Sequence, residues 1–204
     1  MNLHGNIGNG NEQNITTPTI IQCPTTSVTL SCWSKISTGN FFTLAIKNDG
    51  TLWGWGDNIH FQLSGSDNSN KLEPTQIGND NDWVEISAGS THAIGLKTNG
   101  TLWAWGENIN GGVGDGTSLN KNLPTQIGAS TNWKSISAGW NGSYAIQTDN
   151  SLWAWGDNLF GKLGNGTTVG SNTPIQVGTT TKWSLILAGN YHTVAVDTGG
   201  DIWT

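Results

Sequence analysis

Charge is scarce in this chain: 11% of its residues are Asp, Glu, Lys or Arg, against roughly 25% in an average soluble domain. The 8 basic and 14 acidic side chains leave a net charge of −6 and form no basic cluster. Nucleic acid is therefore not an expected partner, because affinity for it comes largely from neutralised phosphates. An anionic membrane surface is disfavoured for the same reason. No run of about 18 apolar residues is present, so no membrane insertion is expected. The N-terminal stretch, with Asn2, Asn6, Asn9, Asn11 and Asn14, lacks the basic start and apolar core of a secretion signal. An exported form would carry its signal outside this chain.

Cysteine is limited to Cys23 and Cys32, in a segment with no copy elsewhere in the sequence. The pair reads either as free thiols or as a local disulfide. The low-charge, Asn/Thr-rich composition favours the disulfide and, with it, a secreted or cell-surface protein. A catalytic thiol is not expected, since neither position recurs. Also missing are a G-x-S-x-G nucleophile motif and the G-K-[S/T] ending of a phosphate loop.

What is abundant is tryptophan, 12 in all, and its placement is periodic. Trp33, Trp83, Trp133 and Trp183 are each 50 apart, as are Trp53, Trp103, Trp153 and Trp203, and so are Trp55, Trp105 and Trp155. Gly39, Gly89, Gly139 and Gly189 keep the same step, and so do Pro74, Pro124 and Pro174. A period of this size signals a propeller or a stacked array. The units run roughly 1–32 (partial), 33–82, 83–132, 133–182 and 183–204 (partial), in one repeat domain of about four units.

Each unit reads as four short strands. Val84, Ile86 and Ala88 alternate with Glu85 and Ser87, a half-buried strand over Trp83–Ala88. A second strand over Ala93–Lys97 meets a third over Thr101–Gly106 through Asn99-Gly100, the strongest short signal for a type I′ hairpin. After a Gly-rich loop, Pro124–Ile127 reads as a short edge strand. Four antiparallel strands repeated about an axis predict an all-β propeller, in which each unit buries its face only against the next.

The two ends complement each other. Asn2, Gly5, Ile7, Gly8 and Gly10 match Asn158, Gly161, Leu163, Gly164 and Gly166, and Pro18 matches Pro174. Residues 201–204 match 151–154. The expectation is a ring whose last blade is shared between the termini, with a piece of a larger propeller and closure by self-association as the other outcomes.

The run S-A-G-x-x-H/Y-x-x-x-L-K-x-D/N-G-x-L-W-A-W-G-x-N-x-x-G-x-L-G-x-G, followed by P-x-Q-I/V, resembles the repeat of the regulator of chromosome condensation family. It is most similar to the bacterial members, which include secreted β-lactamase-inhibitory propellers. The resemblance implies a closed propeller, usually of seven blades, and a protein ligand. It also implies that aromatics in the first loop of each unit face that ligand.

Alternating strand directions bring two loops of each unit to one face. The first carries Asn40, Phe41 and Phe42, Ser90 and Thr91, Trp140 and Asn141, and Asn190 and Tyr191. The second carries Asp57 and Asn58, Glu107 and Asn108, and Asp157 and Asn158. Of all the tryptophans only Trp140 lies outside the three periodic columns, and Phe41, Phe42 and Tyr191 stand at or beside its position. Aromatic anchors with a polar rim are what a protein-binding hot spot needs. The expected function is a non-catalytic protein-binding scaffold using these residues. A carbohydrate-binding propeller is the alternative, and nucleotide exchange on a small GTPase the less favoured third.

No cofactor and no metal are expected. His92 and His192 recur as strand residues rather than converging as ligands. Gly111–Gly116 lacks tandem nine-residue copies, and Gly161–Gly166 marks it as a repeated turn. Asp57, Glu107 and Asp157 share one periodic environment, whereas acid/base work needs two environments that push pKa values apart. The sequons at Asn14, Asn99, Asn141 and Asn165 follow from turn chemistry.

Overall fold

The computed structural model describes residues 2–24 and 32–204. The first blade contains β1 (Trp33–Thr38), β2 (Phe42–Lys47), β3 (Leu52–Gly56) and β4 (Lys71–Gln76). The second contains β5 (Trp83–Ala88), β6 (His92–Lys97), β7 (Leu102–Gly106) and β8 (Lys121–Gln126). The third contains β9 (Trp133–Ala138), β10 (Gly142–Gln147), β11 (Leu152–Gly156) and β12 (Ser171–Gln176). The fourth contains β13 (Trp183–Ala188), β14 (Thr193–Asp197) and β15 (Ile202–Trp203). Each sheet is an antiparallel meander in chain order, so the all-β propeller architecture holds. The second strands β2, β6 and β10 are buried along their whole length, as the small residues there require.

Two local expectations change. The hairpin at Asn99-Gly100 is not type I′, since Gly100 has φ +75° while Asn99 is not among the residues with positive φ. Gly100 N donates to Lys97 O at 2.9 Å and Lys97 N to Thr101 O at 3.2 Å, a type I turn closed by a left-handed residue. In the third blade Asn150 takes that role at φ +65°. The outer strand also begins earlier than Pro124, at Lys121, and Pro124 is accommodated because this strand is an edge.

Seams between blades are built from the tryptophan columns. One face of blade one (Leu44, Ile46, Leu52, Leu63, Ile77) packs on Trp83, Ile86, Ala88 and Trp105 of blade two. Ile94, Leu96, Leu102, Val113 and Ile127 meet Trp133, Ile136 and Trp155 in the same way. Leu152, Leu163 and Val177 meet Trp183 and Ile186. Hydrogen bonds stitch the inner strands: Ala88 N, Ala138 N and Ala188 N donate to Ser37, Ser87 and Ser137 Oγ, each at 2.9 Å. The glycine column allows close approach there, because a Cβ on Gly89 would lie 2.6 Å from Gly139 O.

The loop after each third strand is organised by one buried asparagine. Asn108 Nδ2 donates to Asp115 Oδ1 (3.0 Å), Thr117 O (3.0 Å) and Leu119 O (3.2 Å), while its Oδ1 accepts from Val113 N at 2.9 Å. Asn158 does the same through Thr167 O, Val169 O and Leu163 N. Replacing Asn108 by Ala strands the buried Val113 N–H and the part-buried Thr117 and Leu119 carbonyls, and the expected loss is about 2 kcal/mol, read from the urea midpoint with the m-value unchanged.

Asn2 forms the same cage with Asn11 O, Gln13 O and Ile7 N, so the N-terminal segment is a repeat loop, as the alignment of Asn2 with Asn158 predicts. The sharing of a blade between the termini is corrected. Asn6 O accepts from Trp55 Nε1 at 3.1 Å and Thr43 Oγ1 at 3.0 Å, which anchors this loop to blade one. Sheet β13–β14–β15 gains no strand from the described N-terminal residues. Blade-to-blade packing runs from one to two, two to three and three to four, and among the described residues no packing of that extent joins blade four to blade one. Ile36, in register with buried Ile86 and Ile136, is exposed, as is Ile202, in register with buried Leu52 and Leu102. Leu187 stands where Ser37, Ser87 and Ser137 accept the next blade's amide, and it too is exposed. Cys23 and Cys32 are joined in a disulfide with Cα atoms 6.3 Å apart.

Candidate functional site

Backbone hydrogen bonds put the two loop sets on one face. Asp57 N, Glu107 N and Asp157 N donate to Phe41 O, Thr91 O and Asn141 O at 2.8, 2.9 and 2.8 Å. Blades two and three are also tied loop to loop, because Trp140 O accepts from Ser90 N at 3.2 Å and Ser90 Oγ at 2.8 Å. Ser90 is buried and holds the backbone that carries the Trp140 ring.

Three rings gather at the junction of blades three and four. Trp140 and Tyr191 pack edge to face with centroids 4.9 Å apart, and Phe160 joins Tyr191 in the same geometry at 5.7 Å. Their exposures are 38%, 53% and 63%, so the cluster is braced internally yet open to solvent. Phe41, 41% exposed, sits on the same rim against His4, with ring centroids 5.2 Å apart.

The other expected site residues divide. Phe42 is corrected: at 1% exposure it belongs to the core between blades one and two and offers nothing to a partner. It lies one residue past Phe41 in the strand, and alternation turns it to the opposite side. Asn58, Asn108 and Asn158 are likewise buried, their amides spent on the loop cages. The carboxylates are engaged at home rather than forming a free acidic rim. Asp57 accepts from Gln62 Nε2 at 2.8 Å, Glu107 from Thr91 Oγ1 at 2.5 Å, and Asp157 pairs with Lys162 Nζ at 2.7 Å. Asn190 is exposed, and Asn141 and Thr91 are partly exposed.

A second row was not anticipated from the sequence. Leu3, Ile59, Ile109 and Leu159 are all exposed, each following the caged asparagine of its unit. Phe160 extends this row. Their signal was present in the sequence: an aliphatic residue recurring beside a turn asparagine, where burial is geometrically denied.

His92 stands at the position of Phe42, fully enclosed. Ser143 Oγ donates to Gly112 O at 2.7 Å, so it accepts from His92 Nε2 at 2.8 Å, and the imidazole is neutral. Burial, with a smaller effect of the Lys162 ammonium, pushes its pKa down to about 4. On the opposite face Lys97 Nζ lies 4.5 Å from the Trp103 ring and pairs with Asp80 and Asp82. Ser130, Asn132 and Gln147 replace that charged trio with a neutral hydrogen-bonded one in blade three. Among the described residues, no group of three or more His, Cys, Asp or Glu side chains converges as a metal site.

Comparison with known proteins gives concordant results. The regulator of chromosome condensation (RCC1) repeat matches residues 49–96, 99–146 and 149–196, and a second form of that repeat matches 33–62, 83–111 and 133–162. The mitochondrial RCC1 domain-containing protein RUG3 of Arabidopsis thaliana is 39% identical over 44 residues, 22% of this chain and 10% of its own length. Yeast RCC1 (Prp20), solved with Kap60, superposes with a TM-score of 0.74 at 21% identity over 86% of this chain and 44% of its own. Prp20p of Saccharomyces cerevisiae, studied for its binding to Gsp1p and histones, gives 0.70 at 23% over 80% of this chain and 43% of its own. The chain thus spans less than half the length of these solved relatives, and at such identities the likeness is one of fold. With the repeat matched in tandem along most of its length, this chain belongs to the regulator of chromosome condensation (RCC1) repeat family.

Proposed function

We propose that this chain is a non-catalytic protein-binding propeller segment whose partner seats on the rim carrying Trp140, Tyr191, Phe160 and Phe41. The observation that carries this reading is the Trp140–Tyr191–Phe160 cluster: three rings fixed against one another at the rim where blades three and four meet, with their outer faces in water. Pre-organised aromatics lose little conformational entropy on binding, and the exposed Ile109 and Leu159 extend the apolar centre. Absence of catalysis is supported by the carboxylates, each held by its own neighbours rather than paired as acid and base. Protein partners are also what the solved relatives bind, Kap60 in one case and Gsp1p and histones in another. We place the protein outside the cytoplasm on the strength of the Cys23–Cys32 disulfide, since such bonds persist in oxidising compartments.

The test uses immobilised chain and quantitative recovery of retained proteins from extracts of candidate partner cells. Trp140→Ala with Tyr191→Ala is expected to lower the affinity of a retained partner more than about 30-fold, the scale of a hot spot. Ser90→Ala, which only loosens the Trp140 backbone, is expected to lower it a few-fold. Lys134→Ala, on an exposed residue at the start of β9, serves as the control. Equal retention by the double variant and the control contradicts the reading. Selective, saturable binding on a glycan array that disappears with Trp140→Ala would establish the carbohydrate alternative, for which Asn141 and Asn190 supply hydroxyl partners. Nucleotide exchange on a Gsp1p-type GTPase is expected to remain at its uncatalysed rate.

A further inference from the structure

A carboxylate recurs at one place in the loops of the crown face, and blade two treats it differently from its neighbours. Asp57 Oδ1 accepts from Ile59 N and Asp157 Oδ1 from Leu159 N, each at 3.3 Å. Their second oxygens take a buried side-chain donor five residues further on, Gln62 Nε2 at 2.8 Å and Lys162 Nζ at 2.7 Å. Blade two breaks both halves of this arrangement. Its carboxylate is Glu107, one methylene longer, whose Oε2 accepts from Thr91 Oγ1 at 2.5 Å. The position in register with Gln62 and Lys162 is Gly112, which has no side chain to offer. Glu107 Oε1 is left with His60 Nδ1 at 3.5 Å, longer than a well-formed hydrogen bond.

The deleted donor leaves a shallow notch lined by Glu107, Ile109, Asn110, Gly112 and Asn141, with the buried His92 ring behind them. The Glu107 side chain is 24% exposed, and Ile109 and Asn110 are open to solvent. The notch adjoins the ring cluster: Asn141 follows Trp140 in the chain, and Ser90, beside Thr91, holds Trp140 O at 2.8 Å. Charge on these turns is one-sided. Residues 57–62, 107–112 and 157–162 carry three carboxylates against the single ammonium of Lys162.

We propose that the protein partner of the crown places an arginine at this notch, its guanidinium giving Glu107 Oε1 the donor that Gly112 does not. This rests on the crown reading and describes its partner more closely. A cationic donor suits the site because hydrogen bonds to a carboxylate from a charged group are roughly twice as strong as neutral ones. The chain itself uses that solution in blade three, where Lys162 serves Asp157. Arginine suits it better than lysine, since a planar fork can serve Glu107 Oε1 and the Asn141 amide oxygen together. Ile109 flanks the methylene stem.

The experiment titrates the 204-residue chain with N-acetyl-arginine-amide and, in parallel, with its uncharged isostere N-acetyl-citrulline-amide, following the Thr91 and Ile109 methyl resonances by NMR. Saturable shifts are expected with arginine and none with citrulline at the same concentrations. Glu107→Gln keeps an acceptor for Thr91 but removes the charge, and is expected to weaken arginine binding about tenfold. Gly112→Lys installs the donor of blade three in blade two and is expected to abolish it. The backbone tolerates that change: Gly112 is not among the glycines with positive φ, and a Cβ there comes no closer than 3.4 Å to Asn141 O. An unchanged melting curve checks that the fold is kept. Both variants are also expected to lower the affinity of a crown partner about tenfold. Non-saturable shifts, equal shifts from both probes, or arginine binding unaltered in the two variants overturns the proposal. A partner lost with Trp140→Ala and Tyr191→Ala but fully held by Glu107→Gln overturns it too, and leaves the crown standing. A partner weakened by Glu107→Gln but indifferent to the ring variants supports the notch and contradicts the crown.

Discussion

Replacing Trp105 by Ala is expected to cost about 3–5 kcal/mol, the range for deleting a buried aromatic and leaving its cavity. Trp105 is wholly buried between blades one and two, with its ring 5.8 Å from that of Trp83 and its N–H on Gln62 O. The loss is a large fraction of the roughly 5–15 kcal/mol that holds a domain together. In a repeat array it also falls on one neighbour–neighbour interface, so the first blade and its docked N-terminal loop should uncouple from the rest. Urea denaturation followed by amide exchange reads both effects. The wild-type chain should unfold in one transition, and the variant should lose protection in blade one before blades three and four. A change below about 1 kcal/mol, with no loss of cooperativity, would show that the tryptophan columns do not carry the seams. Trp140→Ala gives the contrast, with an expected cost within about 1 kcal/mol because its ring is exposed at the rim and belongs to none of the core clusters between blades.

The second large effect is acid sensitivity at His92. Its folded-state pKa is about 4, depressed by burial from a reference of 6.5, so the unfolded chain binds a proton more readily than the folded one. Stability from the neutral, enclosed imidazole is therefore full above pH 6.5. It declines as pH falls through the interval to 4 and is gone below it. The interval corresponds to about 3 kcal/mol. Carboxylates held below their ordinary values, Asp67 through Ser69 and Asp197 through Lys182, act only under more acidic conditions, where their unfolded counterparts protonate. Glu85, whose carboxyl burial holds above its ordinary range, titrates in the same window with the opposite sign, so the histidine's share is read from the difference between wild type and a variant without it. Phe42 occupies the equivalent place in blade one, which makes His92→Phe a natural replacement, and Ser143 Oγ keeps its bond to Gly112 O. Chemical denaturation at half-unit pH steps should show the wild-type decline and its absence in His92→Phe. Equal slopes would assign the acid loss elsewhere.

Periodic features were legible in the sequence because periodicity encodes packing. The tryptophan columns, the glycine column and the edge proline each recur for a reason that holds in every unit, and strand β5 has the expected bounds, but Val84 is corrected: a register shift between Trp83 and Glu85 leaves it exposed while Ile86 and Ala88 are buried. The Asn2 loop was legible for the same reason. What misled was a single-residue step: Phe41 and Phe42 are adjacent and chemically alike, and only the sheet decides which of them turns inward. Asn108 and its equivalents were misjudged because polarity suggests exposure, whereas four loop groups needed one buried amide with two donors and an acceptor. The apolar row at Leu3, Ile59, Ile109 and Leu159 escaped notice because a periodic aliphatic residue usually signals core. The fate of the two ends lay outside sequence arithmetic. Matching fragments show what could complete a blade, while the bonds from Trp55 and Thr43 to Asn6 determine where the N-terminal loop docks.

Hydroxyl-radical footprinting of the chain with and without a captured partner tests the central claim most directly, because oxidation rates report on individual rings. The expected result is strong protection of Trp140, Tyr191 and Phe160 on binding, with Trp103 and Trp153 on the opposite face unchanged. Protection of Trp103 and Trp153 with the Trp140 cluster still reactive would contradict it.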